Sequence, residues 1–331
     1  MSSAATLPPF TGWQALTSWT LRPGAVIVLF ALLALYLLGV RRLRRRGDPW
    51  ATRRMAAWVA GLATIAFAES SAAQVYSAAL FSAGVVQHMT LQMVAPAFLV
   101  LAAPMTLALR TLPRRPRRAL LAVVHSPPVR AISHPVVAFG FSAISLFVFY
   151  YTPILDLTLH HPWFDALSHV HFVAVGFLFY WAILAIDPVP HRPPFALRFL
   201  LVVGMAPMHV LVGLPIMVSN RMYAGDYFLA LGRNTPTEIL TDLNTGGALL
   251  WAFGDVSAIV LIVGFVTAWS RSDDREARRL DRALDRVHGA GPTMTPWWLD
   301  TPNRDHGEPS RREPGLPAKA SSTENTTGRG T

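Results

Sequence analysis

The chain reads as an all-α, polytopic membrane protein of seven transmembrane helices, with the N-terminus outside and the C-terminus cytoplasmic. Three observations predict this. Of its 331 residues, 52% are hydrophobic and only 15% charged. The apolar residues fall in long runs such as Val26–Val40 and Val94–Leu109. Arginines cluster on one flank of those runs: Arg41, Arg42, Arg44, Arg45 and Arg46 after the first, Arg110, Arg114, Arg115, Arg117 and Arg118 after the second. Hydrocarbon offers no partner to backbone polar groups, so such runs cross it as helices. Arginine clusters stay cytoplasmic and fix how each helix is threaded.

The seven spans are expected at 25–40, 54–72, 87–109, 135–152, 168–186, 198–218 and 247–270. Each has roughly 16–24 residues, enough at 1.5 Å per residue for a core of about 30 Å. Residues 1–24 read as an external segment. The first apolar run is followed, not preceded, by arginines, the reverse of a cleavable signal. The arginine-rich loops 41–53 and 110–134, and 187–197 with Arg192, then lie inside. The outside loops 73–86 and 153–167 carry no Lys or Arg, and 219–246 has only Arg221 and Arg233. Residues 25–271 thus form one transmembrane domain. Beyond it, 272–288 places Leu280, Leu284 and Val287 at helical spacing among charges, the pattern of an amphipathic helix on the cytoplasmic surface. Residues 289–331 are rich in Pro, Gly, Ser, Thr and charge, and are expected to be a disordered tail.

Composition removes several functions. The net charge of +10 would suggest nucleic acid in a soluble chain, but these arginines flank apolar runs and no nucleic-acid motif is present, so their partner is anionic lipid. There is no cysteine, which excludes disulfides, thiolate metal sites and c-type haem attachment. No P-loop, dinucleotide fingerprint, HExxH or GxSxG occurs, and nothing pairs a nucleophile with a base. The reading is of a non-enzymatic protein.

Polar residues within membrane helices are costly and mark function by default. The third span opens with Gln87, His88, Met89, Gln92 and Met93, in which His88/Gln92 and Met89/Met93 each share a face. His169 and His171 begin the fifth span. Met205, Met208 and His209 share one face of the sixth, with His209 near mid-depth. Asp242 and Asp255 flank the start of the seventh, while Glu69 lies in the outer half of the second. Asp156, Asp165, His160 and His161 read as solvated loop residues. Imidazole and thioether without thiolate is a donor set that suits copper, although a methionine in an apolar helix also serves as packing filler. The candidate ligands are His88, Met89, Met93, His169, His171, Met208, His209, Asp242 and Asp255.

Several of these stretches resemble a known family. Gln87-His88 with Val94-Ala95-Pro96 and Leu101–Leu107 is similar to the third helix of CtaG-type cytochrome c oxidase assembly factors. So are His169 through Phe177–Trp181 with Asp187-Pro188-Val189-Pro190, Pro207-Met208-His209 through Gly213, and Asp242 through Gly254-Asp255. These stretches keep the family's order over about residues 55–288. The resemblance implies a seven-helix protein of the bacterial plasma membrane, partnered with an oxidase subunit and assisting insertion of copper into it. The family places a His-Met pair shortly before Gln-His, whereas this chain has Gly84-Val85; that departure leaves either a reduced site of His88, His169 and His209 or a paralogue with altered or lost metal binding. Two other readings stay open: a haem- or quinone-binding redox protein using His88 with His169 or His171, and a transporter of copper or another small solute. The transporter lacks the expected repeat and paired broken helices.

Overall fold

The structure, a computed structural model, describes residues 2–190, 193–232 and 234–288. The chain divides into two compact units, Met1–Ser272 and Asp273–Thr331. The first holds the apolar helices: α1 (Pro23–Arg44), α2 (Thr52–Ser70), α3 (Phe81–Met89), α4 (Ala95–Leu101), α5 (Pro104–Thr111), α6 (Pro135–Tyr151), α7 (Pro162–Leu184), α8 (Phe195–Val218) and most of α9 (Pro236–His288). In the second unit, the described residues are the helical end of α9; the tail expected at 289–331 lies outside the described residues.

Among the described residues, six helical stretches are long and apolar enough to cross a membrane. A seventh results when α6 and the short helix Ile154–His160, bent by 65°, count as one span. α1 begins with Pro23 at its first turn, where the missing N–H costs nothing, and ends in Arg41, Arg42 and Arg44, which complement the helix dipole. It is the least buried span, with Ile27 and Leu35 both 68% exposed.

The third span departs furthest from the sequence expectation. It starts at Phe81 rather than residue 87, because Asp242 of α9 accepts from the Phe81 N–H (2.6 Å) and from Ser82, satisfying N–H groups that a helix start leaves orphaned. Its middle, Thr90–Val94, widens into a π turn. Pro96 lacks an N–H and its ring crowds the carbonyl four residues back, at Gln92. Gly176 of α7 packs on that carbonyl so closely that a Cβ there would collide with it. The span breaks again at Ala103, in the left-handed region with φ 54°, and α5 restarts under a cap from Asp187, which accepts from Met105 N–H (3.0 Å) and Thr106 N–H (2.8 Å).

The last span also starts early, at Pro236 rather than 247. Thr235 and Glu238 form a capping box, with Glu238 Oε2 accepting from Thr235 N–H (2.7 Å) and Thr235 Oγ1 accepting from Glu238 N–H (3.3 Å), a reciprocal pairing that satisfies two orphan donors. The loops expected at 110–134 and 153–167 contain helices, Arg114–Val124, Pro127–Ile132 and Ile154–His160.

The main core gathers Met89, Met93, Tyr150, Phe179, Tyr180, Met205, Val212 and Leu250. A smaller one, around Tyr36, Trp50 and Trp58, holds α1 at the arginine-rich end. There Tyr36 and Trp58 stack at 4.6 Å, and the Tyr36 hydroxyl donates to the Ala102 carbonyl (2.9 Å).

Candidate functional site

His88 sits in the last turn of α3, 2% exposed and stacked on Phe172 with ring centroids 3.6 Å apart. Both ring nitrogens are engaged. Nε2 meets Gln92 Oε1 at 2.6 Å, and Nδ1 meets the Tyr150 hydroxyl at 2.8 Å. The Gln92 amide nitrogen donates to Ser142 Oγ at 3.2 Å, which turns its oxygen toward His88. An amide oxygen only accepts, so Nε2 carries the proton and Nδ1 receives the Tyr150 hydroxyl. The i, i+4 spacing read from the sequence therefore sets the tautomer.

His209 is fully buried in α8. Its Nδ1–H donates to the Met205 carbonyl at 2.9 Å. Nε2 keeps its lone pair and has no hydrogen-bond partner among the described residues. Gly254 of α9 lies against this ring, and a Cβ there would overlap it. The imidazoles of His209, His169 and His171 lie within electrostatic reach of His88, and the Asp255 carboxylate within reach of His209. Met89, Met93 and Met205 belong to the surrounding core.

A cluster of charges borders this site. Arg22, just before α1, donates to Glu69 (3.3 Å) and Asp165 (2.9 Å). His169 contacts Glu69 through Nδ1 (2.8 Å) and Asp165 through Nε2 (3.3 Å). Asp165, read from the sequence as a solvated loop residue, is thus an ion-pair partner in the first turn of α7. Burial of Glu69 and His169, each with a side chain 9% exposed, requires such pairing. Between His169 and His88 lies a cavity of about 50 Å³, lined also by Gly84, Val85 and Tyr150, room for a small polar guest such as water. A Cβ at Gly84 would meet nothing closer than the Ser77 carbonyl at 3.6 Å.

The remaining candidates are dispersed. His171 is exposed on α7, with Nε2 2.6 Å from Ser145 Oγ. Met208 is half-buried and outside the core cluster that takes Met205. Asp242 spends its oxygens on the start of α3. Asp255 is half-buried. Among the described residues no group of three or more His, Asp or Glu converges as a metal cage. Sequence reasoning did not single out Tyr150 or Arg22, whose partners lie 62, 47 and 143 residues away along the chain. Met205 was signalled by its four-residue spacing from His209.

The chain is similar to uncharacterised proteins of Mycobacterium bovis and Mycobacterium tuberculosis, each 36% identical over 286 residues, or 84% of this chain and 43% of the relative. A protein of Mycobacterium leprae is 34% identical over 260 residues, 76% of this chain and 40% of its own. The chain therefore spans less than half the length of these curated relatives. No solved structure matches it. Residues 34–272, which hold His88, His169 and His209 together with most of the apolar helices, match the family described as cytochrome c oxidase caa3 assembly factor (Caa3_CtaG), and the chain belongs to that family.

Proposed function

We propose that this protein assists copper insertion into a cytochrome c oxidase from the outer side of the plasma membrane, with cuprous ion as its cargo. One observation carries the reading. His88 and His209 each have one N–H pinned to a carbonyl oxygen, Gln92 Oε1 and Met205 O. That is the outer-shell arrangement by which metal-binding histidines fix their tautomer and present the other nitrogen. At His209 the presented Nε2 is buried and has no partner among the described residues, a costly state for a polar atom that a bound ion would relieve. At His88, copper would displace the Tyr150 hydroxyl. The thioethers of Met89, Met93 and Met205 supply soft donors in the same core, suited to the cuprous state.

A site of few neutral ligands suits handover. Ligand exchange between weak sites lets the ion leave, whereas a closed cage would oppose delivery. Gly84 and Val85 reduce the ligand count further and leave open space beside His88. Sidedness follows from the arginines: the end bearing Arg41–Arg46 and Arg114–Arg118 faces the cytoplasm, which puts the Arg22–Asp165 end outside. The protein's role is to bind and pass on its cargo, with no covalent chemistry.

The test is the copper content of the oxidase in cells carrying His88→Ala or His209→Ala at matched protein level. Each should lower copper occupancy, because insertion depends on apolar length, which Ala preserves. His125→Ala is the control, since that imidazole bonds the Leu121 carbonyl on the arginine-rich side. Unchanged copper in both variants ends the reading, as does stoichiometric haem in the purified protein.

A further inference from the structure

A second feature shares Glu69 and His169 with the border of the His88 site. Between α1 and α7 runs a groove of about 1110 Å³. It extends from Arg22 and Ala166 at one end to Met105 and Trp181 at the other. Along α7, Ala166 to Trp181 covers roughly 22 Å at the helical rise, most of a hydrocarbon core of about 30 Å. An acyl chain belongs to one leaflet and reaches only about half that depth.

We infer that this groove docks a transmembrane helix of the oxidase under assembly, which rests on the oxidase-assembly reading above. Four observations support it. Volume over length gives a cross-section of roughly 50 Å², about half that of a helix of ~10–12 Å diameter with its side chains. The groove thus seats one face of a helix and leaves the other to lipid. Its edges carry Gly24 and Ala25 on α1, and exposed Ala166 and Ala174 on α7, small residues that let backbones approach where hydrophobicity gives helices no reason to associate.

One polar group lining the groove lacks a partner. The indole N–H of Trp181, a residue only 4% exposed, has no acceptor among the described residues. A Ser, Thr or Asn on a docked helix would offer it one, which an acyl chain does not. Charge also argues against an anionic lipid headgroup: Arg22, the one Lys or Arg lining the groove, is already held by Glu69 and Asp165.

The experiment places a photo-crosslinking amino acid at Ala174 in the full chain, in cells making the oxidase, with Val260 as control. Val260 is 65% exposed on α9 and outside the groove. Adducts are identified by mass spectrometry. The expected result is a crosslink from Ala174 to a membrane helix of an oxidase subunit, with little or none from Val260. Ala174→Phe, which fills the groove, should cut the co-purified oxidase subunit about tenfold at equal protein level, a loss of about 1.4 kcal/mol in binding. Adducts with lipid alone, with a second copy of this chain, or with oxidase equally from both positions overturn the proposal. The two readings fail separately. Loss of oxidase copper in His88→Ala without an oxidase adduct at Ala174 removes the groove's role and keeps copper delivery. The adduct with unchanged copper does the reverse.

Discussion

Which nitrogen of His88 and His209 carries the proton depends on single neighbouring oxygens, Gln92 Oε1 and the Met205 carbonyl. The copper proposal predicts opposite effects for the two partners of His88. Gln92→Leu removes the acceptor that fixes the ring, and should weaken cuprous affinity by about 10–100-fold, the usual cost of losing such a partner. Tyr150→Phe removes the hydroxyl that competes with the ion for Nδ1, and should leave affinity equal or higher. Competition titration of detergent-purified protein against a chromophoric cuprous chelator reads both. Weaker binding in Tyr150→Phe than in Gln92→Leu would reverse the assigned tautomer. The spacing of His88 and Gln92 was visible in the sequence as a shared helix face. Tyr150 was not, because its contact joins α3 to α6 across 62 residues.

At the scale of elements, the positions of chemistry depend on helix breaks more than on helix centres. The π turn at Thr90–Val94 carries Gln92 and Met93, and Gly176 of α7 bears directly on its freed carbonyl. Gly176→Ala should therefore push α7 from the turn and destabilise the protein by about 1–3 kcal/mol, the range for overpacking a dense core. Gly140→Ala, where a Cβ meets nothing within 4 Å, should be neutral or slightly stabilising, since Ala is the better helix former. Thermal unfolding in detergent separates the two, and equal midpoints would show that the turn yields freely. Hydropathy located the apolar centres of these spans but set the third and last starts late. Residues such as Ser82, Gly84, Thr241 and Asp242 read as loop by composition, and become helical because Asp242 caps α3 and the Thr235–Glu238 box caps α9.

For the whole molecule, the threading proposed from the arginines is directly checkable. Reporter fusions after Arg46 and Arg118 should report cytoplasm, and a fusion near Asp156 the outside; the same sidedness at Arg118 and Asp156 would remove α6 as a span. What the sequence determined by itself is the class of protein, the approximate number and place of its spans, and the histidines and methionines set within them. Those properties follow from apolar length, charge bias and residue type, all local along the chain. What only the tertiary structure decided is which of those residues act together. His88 gains Tyr150, His209 gains the pressure of Gly254, and His169 and Asp165 gain Arg22 and Glu69. It also moved Asp242 from the candidate ligands to the start of α3, and set Met205 rather than Met208 in the core. Each of these depends on how helices rotate and approach one another. Apolar helices in hydrocarbon take that from small residues, breaks and polar contacts between distant segments, which no single stretch of sequence displays.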